Sequence, residues 1–234
     1  VDVAIIGGGY SGLWTAYYLL ENDPSLRVLI IEKEFCGYGA SGRNGGWCEG
    51  ALAGGTEKYA KRSTMGEALR LERTMFETVD EIQRVLDSED INCDFHKGGF
   101  VSVARNSPQA QRQRSAVELA RERGTGEEII RILDADEARS HVNATNVHSG
   151  IFFAPSAVVD PGKMVRGLAK AVERKGGTIV EGTTALSIST GKVVCTEGVV
   201  SADVIVQATE GYTRDIKGKK LDLLPVYSRM IATE

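Results

Sequence analysis

The chain is short of several things, and each shortage narrows what it can be. Cysteine is scarce: Cys36, Cys48, Cys93 and Cys195 form no C-x-x-C pair and no metal-ligand spacing. No metal site is expected, and the thiols read as reduced, as in a cytoplasmic protein. An excess of one charge is also missing. Lys and Arg number 28 against 32 Asp and Glu, so the net charge of −4 offers nothing to nucleic acid or an anionic membrane. The arginines of Arg112–Arg123 are interspersed with glutamates and read as a solvated helix face. No apolar run reaches spanning length, and no secretory leader is visible; Val28–Ile31 and Val204–Val206 are of buried-strand length. The only histidines, His96, His141 and His148, stand apart from one another and read as structural or solvated. An initiator methionine is lacking, and Val226–Ala232 reads as a strand with no terminator. Both ends therefore look cut, and the expectation is a piece of a longer protein.

What is present begins with alternation. Val1–Ile6 is an apolar strand, a glycine loop follows, and a helix is expected from Ser11 to Asn22. Asn22-Asp23-Pro24-Ser25 makes a turn, because the residue before proline avoids helical angles. Arg27–Glu32 has the unbroken apolar pattern of a strand buried on both faces. The two strands are thus expected to be parallel neighbours in a βαβ unit. Residues 36–56 form a long loop of small residues. Helices are expected over Thr64–Leu86 (Thr64 and Glu67 at capping-box spacing, Glu72 the exception on its apolar face), from Ser107 to Arg123 with Ser107 as N-cap, and over Asp134–Ser140. A further helix opens at Asp160-Pro161 and stops at Gly176-Gly177. Strands are expected at Gly98–Ala104, Thr178–Glu181, Ala185–Ser189, Val193–Thr196 and Asp203–Ala208.

The chemistry enters at Gly7-Gly8-Gly9-Tyr10-Ser11-Gly12, a G-x-G-x-x-G at Gly7, Gly9 and Gly12. A strand precedes it, a helix starts on it, and the second strand ends in Glu32, twenty residues after Gly12. Gly7 permits the tight turn, Gly9 lets backbone approach a pyrophosphate, and Gly12 lets the helix pack on the strand. The helix N-terminus offers unpaired N–H groups and positive potential. Glu32 can accept from ribose hydroxyls and disfavours a 2′-phosphate. Gly7, Gly9, Tyr10, Ser11, Gly12 and Glu32 are candidate cofactor residues.

A second cluster decides between cofactors. Residues 37–46 hold five glycines in ten positions, where a simple NAD dehydrogenase would continue into helix and strand. Such a loop admits close backbone approach to a flat ring or a phosphate. Ser41, Arg43 and Asn44 add polar and cationic groups. FAD is the cofactor this pairing implies. Cys36 and Cys48, twelve residues apart, are too distant in sequence for the redox pair of a flavin disulfide reductase. Trp47 either packs by the flavin or fills core.

Gly7–Gly12, Glu32-Lys33 and Gly39-Ala40-Ser41-Gly42-Arg43-Asn44-Gly45-Gly46 resemble the amine- and amino-acid-oxidising flavoproteins of the D-amino-acid oxidase superfamily. Within it, the chain is most similar to the gamma-glutamylputrescine oxidoreductase-like branch. Residues 159–168 resemble the family's helix that returns the chain to the FAD domain, and residues 204–212 its second nucleotide-contacting strand and turn. The resemblance implies that Gly7, Gly9, Ser11 and Gly12 hold the pyrophosphate. It places Glu32 and Lys33 at the adenosine ribose, and Ala40, Ser41, Asn44, Gly45 and Gly46 along the ribityl chain and flavin, with Gly39 and Arg43 of the same loop as further cofactor-binding candidates. Ala185 would meet adenine through its backbone, and Ala208 and Thr209 would lie by the nucleotide. Glu210 stands where the family usually has Gly or Asn, and its side chain is expected to point away from the phosphates.

The fold class expected is α/β: a Rossmann-like FAD-binding domain with a central parallel sheet, interrupted by part of an α+β substrate domain. The expected boundaries are 1–92 and 149–214 for the FAD-binding domain, 93–148 for the insertion and 215–234 for the start of a further substrate-domain segment. The resemblance implies oxidation of the C–N bond of an amine or amino acid by hydride transfer to flavin. The imine is then hydrolysed, and oxygen or another acceptor takes the electrons. A flavin monooxygenase or halogenase is the alternative, though the Asp-Gly element often found in such enzymes is absent near residues 150–162. A non-catalytic nucleotide-binding fragment is the other. No catalytic residue is assigned.

Overall fold

The structure, a computed structural model, describes residues 1–226 and Ser228. In chain order the strands are β1 (Val3–Ile6), β2 (Val28–Ile31), β3 (Trp47–Glu49), β4 (Phe100–Ala104), β5 (Ile130–Leu133), β6 (Ser149–Phe153), β7 (Ser156–Val158), β8 (Thr178–Val180), β9 (Ala185–Ser189), β10 (Lys192–Cys195), β11 (Gly198–Ser201) and β12 (Val204–Gln207). The helices are α1 (Tyr10–Asn22), α2 (Thr56–Ala60), α3 (Met65–Ser88), α4 (Ser107–Glu122), α5 (Ala135–His141) and α6 (Pro161–Arg174). The strand expected over 226–232 lies, apart from Val226 and Ser228, outside the described residues.

The described residues divide into two compact units. The first comprises residues 1–46, 88–93 and those from 160 onward. Its centre is a four-stranded sheet in the order β12-β1-β2-β8, and all its pairings are parallel. β1 is buried at every position, the signature of a strand covered on both faces. On one side α1 packs against β1, β2 and α6. On the other, Ile6 and Ile31 form a core with Val193 and Cys195 of the antiparallel β9–β10–β11 sheet. Each fully buried Ile or Val here stabilises the unit by about 1.5–3 kcal/mol.

Helix α6 shows how local chemistry sets its ends. Asp160 at the N-cap accepts the Lys163 N–H at 2.8 Å, and Pro161 sits at the start where no N–H is needed. At the other end Gly176, with φ +93°, donates to Glu173 O at 2.9 Å while Gly177 donates to Val172 O at 3.0 Å. That pair of bonds is a Schellman stop.

The second unit comprises residues 47–87 and 94–159. It holds an antiparallel β4-β6-β5 sheet and a β3–β7 ribbon, with α2 to α5. This partition differs from the boundaries read off the sequence, since residues 47–87 and 149–159 pack with the insertion. The reason is strand pairing: Trp47 lies opposite Val158, and β6 pairs with both β4 and β5. Cap details differ too. Asn106 is the N-cap of α4 in place of Ser107, accepting the Gln109 N–H at 2.9 Å. Thr64 accepts the Glu67 N–H at 3.2 Å, but the Glu67 carboxylate pairs with Arg70, so only half of the capping box forms. Glu72, the exception in the apolar stripe of α3, accepts from the hydroxyl of buried Thr56 at 2.5 Å.

Candidate functional site

The carboxyl ends of the parallel strands meet at the first glycine motif. Gly7 N–H donates to Ile31 O at 2.9 Å, and Ala208 N–H donates to Ile6 O at 2.8 Å. The turn after β1 is thus held between β2 and β12, where open α/β sheets place ligands. Gly7 has φ +109°, and a Cβ there would stand 2.4 Å from Ala208 O. A Cβ on Gly12 would lie 2.0 Å from Gly7 O, and one on Gly9 would lie 2.9 Å from Ser41 Oγ. Backbone oxygens demand glycine at positions 7 and 12, whereas a Cβ at position 9 would displace the Ser41 hydroxyl. Helix α1 begins with Gly9 as N-cap, so the N-cap residue has no side chain to accept an N–H, and the first turn carries no acid. Tyr10 N–H donates to Ser41 Oγ at 2.9 Å. Gly9, Tyr10 and Ser11, at this positive helix end, line a cleft.

These elements wall a cleft within the first unit. Among the expected residues, Gly7, Gly9, Tyr10, Ser11, Glu32, Lys33, Gly39, Ala40, Ser41, Ala185, Ala208 and Thr209 line it. Gly12, Arg43, Asn44, Gly45 and Gly46 do not. Gly12 is buried beneath the turn. The Arg43 guanidinium stacks 4.5 Å above the Tyr38 ring and donates to Tyr38 O. Asn44 ties the loop together: its Nδ2 donates to Ala40 O at 3.1 Å and Ser41 O at 3.0 Å, and its Oδ1 accepts the Gly46 N–H at 2.8 Å. Arg43 and Asn44 thus hold the loop's own backbone.

The cleft also takes residues that the sequence reading missed. Gly37 is one, with φ +85° and its Cα so close to Val165 that a Cβ would meet it at 2.2 Å. Its place in a glycine-rich loop was a usable signal. Thr183, Thr184, Tyr212, Asp215 and Ile216 line the cleft too, and no motif marks them. Glu210 lines it as well, with φ +42°, and its carboxylate, expected to point away from the phosphates, turns back on its own turn to accept the Gly211 N–H.

Glu32 is part of the cleft wall. Its Oε2 accepts the Gly8 N–H at 2.7 Å and its Oε1 accepts the Glu34 N–H at 2.9 Å. A carboxylate has about four acceptor sites, so two backbone donors leave capacity for sugar hydroxyls. Backbone N–H groups and an acceptor carboxylate in one cleft fit a nucleotide's phosphate and ribose. Beside them Cys36 is buried, and burial, reinforced by the Glu181 and Glu32 carboxylates, pushes its thiol up to about 12. It is neutral near pH 7 and no nucleophile. Burial raises Cys48 as well. Trp47, in the second unit, is 65% exposed and packs edge-on to Phe100, so it does not fill core.

A family model described as "FAD dependent oxidoreductase" matches residues 2–234. The chain belongs to this FAD-dependent oxidoreductase family. FAD is accordingly the cofactor, and the chain's parallel-sheet fold is that of the family's flavoproteins. A probable oxidoreductase, OrdL, of Haemophilus influenzae is 30% identical over 247 residues, which cover 100% of this chain and 55% of the relative. Gamma-glutamylputrescine oxidoreductase of Escherichia coli is 29% identical over 240 residues, again 100% of this chain and 55% of the relative. The chain thus spans about half the length of these family members. Among solved structures, the L-amino acid deaminase of Proteus myxofaciens superposes with a TM-score of 0.76 at 22% identity, over 93% of this chain and 47% of its own. Among the described residues no helix is long and apolar enough to cross a membrane.

Proposed function

We propose that the intact protein oxidises the C–N bond of a small amine or amino acid in the cytoplasm. The observation that carries this is the cleft itself: the glycine turn, the open N-terminus of α1 and Glu32 converge in a chain of the FAD-dependent oxidoreductase family. The names of its relatives, an oxidoreductase of gamma-glutamylputrescine and a deaminase of amino acids, support the substrate class. When bound, FAD would supply a hydride acceptor for the carbon next to nitrogen, with the resulting imine left to hydrolysis by water and the electrons to oxygen or another acceptor.

The chain's part is to bind and orient. Gly7, Gly9, Ser11 and Gly12 shape the turn that brings the backbone donors and dipole of α1 to the pyrophosphate. Glu32 accepts from the adenosine ribose, with Lys33 alongside. Gly39, Ala40 and Ser41 run beside the ribityl chain, and Arg43, Asn44, Gly45 and Gly46 hold that loop in shape. Ala185 and the Ala208-Thr209 turn flank the nucleotide by backbone. A neutral substrate amine needs no strong base, and no side chain is assigned one.

Purified intact protein is expected to be yellow and to release FAD on denaturation. Under anaerobic conditions, a member of an amine and amino-acid panel should bleach it. A colourless protein that binds NAD tightly would refute the cofactor reading. Bleaching by NADPH and by no amine would refute the substrate class.

A further inference from the structure

One residue of the cleft works against the ligand the rest of it suits. Glu210 follows Ala208 and Thr209, whose backbone lies directly over the glycine turn. It holds φ +42°, a left-handed conformation that a side-chain-bearing residue seldom adopts and that Gly or Asn adopts readily. Its carboxylate accepts the N–H of Gly211, the next residue. An exposed glutamate would otherwise extend into water; this one is folded back on its own turn. The residues lining the cleft include four acids, Glu32, Glu34, Glu210 and Asp215, against one base, Lys33. Attraction for a pyrophosphate therefore comes from backbone N–H groups and the α1 dipole, and it meets a net negative wall.

We propose that Glu210 is an electrostatic brake on cofactor retention. Its pinned carboxylate repels the pyrophosphate of FAD, so the protein holds FAD less tightly than its backbone donors alone would. The inference rests on the FAD-binding reading above. Like charges across a partly solvated cleft repel measurably, and salt screens that repulsion, with a Debye length falling from about 10 Å at 0.1 M to about 3 Å at 1 M.

The test is a flavin-fluorescence titration of the intact apoprotein with FAD at low and high salt, for wild type, Glu210→Gln and Glu210→Asn. Melts of the apoproteins establish that each is folded. Gln removes the charge at constant length; Asn also suits the left-handed backbone, and it decides the matter if the Gln variant does not fold. Both variants are expected to bind FAD roughly three- to tenfold more tightly at low salt, with the gap narrowing at high salt. Equal affinity overturns the brake. Weaker affinity in the variants overturns it too, and shows that the bond to Gly211 organises the turn for the cofactor. Wild-type protein that takes up no FAD at all defeats the functional reading itself, whereas wild type that binds FAD as its variants do defeats only this inference.

Discussion

At the scale of single residues, the cleft is shaped by where a methyl group cannot go. Gly12 is the sharpest case: a Cβ there would stand 2.0 Å from the Gly7 carbonyl oxygen and 3.2 Å from Ile5. Both neighbours are held by the sheet, so neither can yield cheaply. Gly12→Ala is expected to lower unfolding free energy by roughly 2–4 kcal/mol and to abolish FAD retention, read by denaturant melts and by absorbance of the purified protein. Gly66, in the first turn of α3, has only Thr64 Oγ1 at 3.9 Å and no left-handed φ. Gly66→Ala should instead gain up to about 1 kcal/mol, because only backbone entropy changes. Cys36 supplies another residue-scale test. With its thiol pushed up to about 12 and its side chain buried, it should resist a thiol reagent at about pH 8 until the protein unfolds. Mapping the labelled cysteine by mass spectrometry checks this, and rapid native labelling at Cys36 would count against it. The glycines and Glu32 were legible because each demand is local: a turn, a close approach, a strand end. The acceptor role of Ser41 toward Tyr10 N–H was not, since it joins residues 31 apart through a loop with no periodicity.

At the scale of elements, caps decide where helices begin. Asp160 is the N-cap of α6, whose buried face (Met164, Val165, Leu168 and Val172) packs in the first unit. Asp160→Ala should cost about 1 kcal/mol by thermal melt, and Asp160→Ser should recover most of it, because a hydroxyl can accept the same N–H. Full stability in the Ala variant would show that burial alone sets this helix start. The Asp-Pro opening and Gly-Gly stop of α6 were readable, as capping is written within a few residues. The short strands β3, β5, β6 and β7 and helix α2 were not read from the sequence. Their three to five residues carry little periodicity, and partners distant in sequence define them.

At the scale of the whole molecule, one half-buried ion cluster joins chain segments far apart within the first unit. Glu89, with its side chain 13% exposed, accepts from Tyr17 at 3.1 Å and from Arg174 at 3.0 Å, and it pairs with Lys175 at 3.2 Å. Burial opposes its ionisation, but hydrogen bonds from Arg174, Lys175 and Tyr17 outweigh this and hold the carboxyl below its ordinary value. A depressed acid contributes stability that is complete above the unfolded pKa of about 4.3 and is lost as pH falls through the folded value. Unfolding free energy should therefore drop on acidification below about pH 4.3, and Glu89→Gln should flatten that limb. The same variant should be about 1–2 kcal/mol less stable near neutrality. Denaturant melts across pH read both effects, and an unchanged acid limb in Glu89→Gln would remove the cluster from the explanation.

The sequence by itself determined the β1–α1–β2 unit, its three glycines, the terminal Glu32 and the ends of α6. Continuous apolar runs, steric demands and caps act between residues close in the chain, so composition and spacing record them. The tertiary structure alone decided that residues 183–185 and 208–216 reach the same cleft as the glycine turn, and that Arg43 and Asn44 brace the loop from outside it. It alone decided that Trp47 faces Val158 across a two-stranded ribbon, drawing residues 47–87 into the second unit. Such pairings are made by backbone groups that every residue but proline carries in full, so nothing in the side-chain pattern announces them.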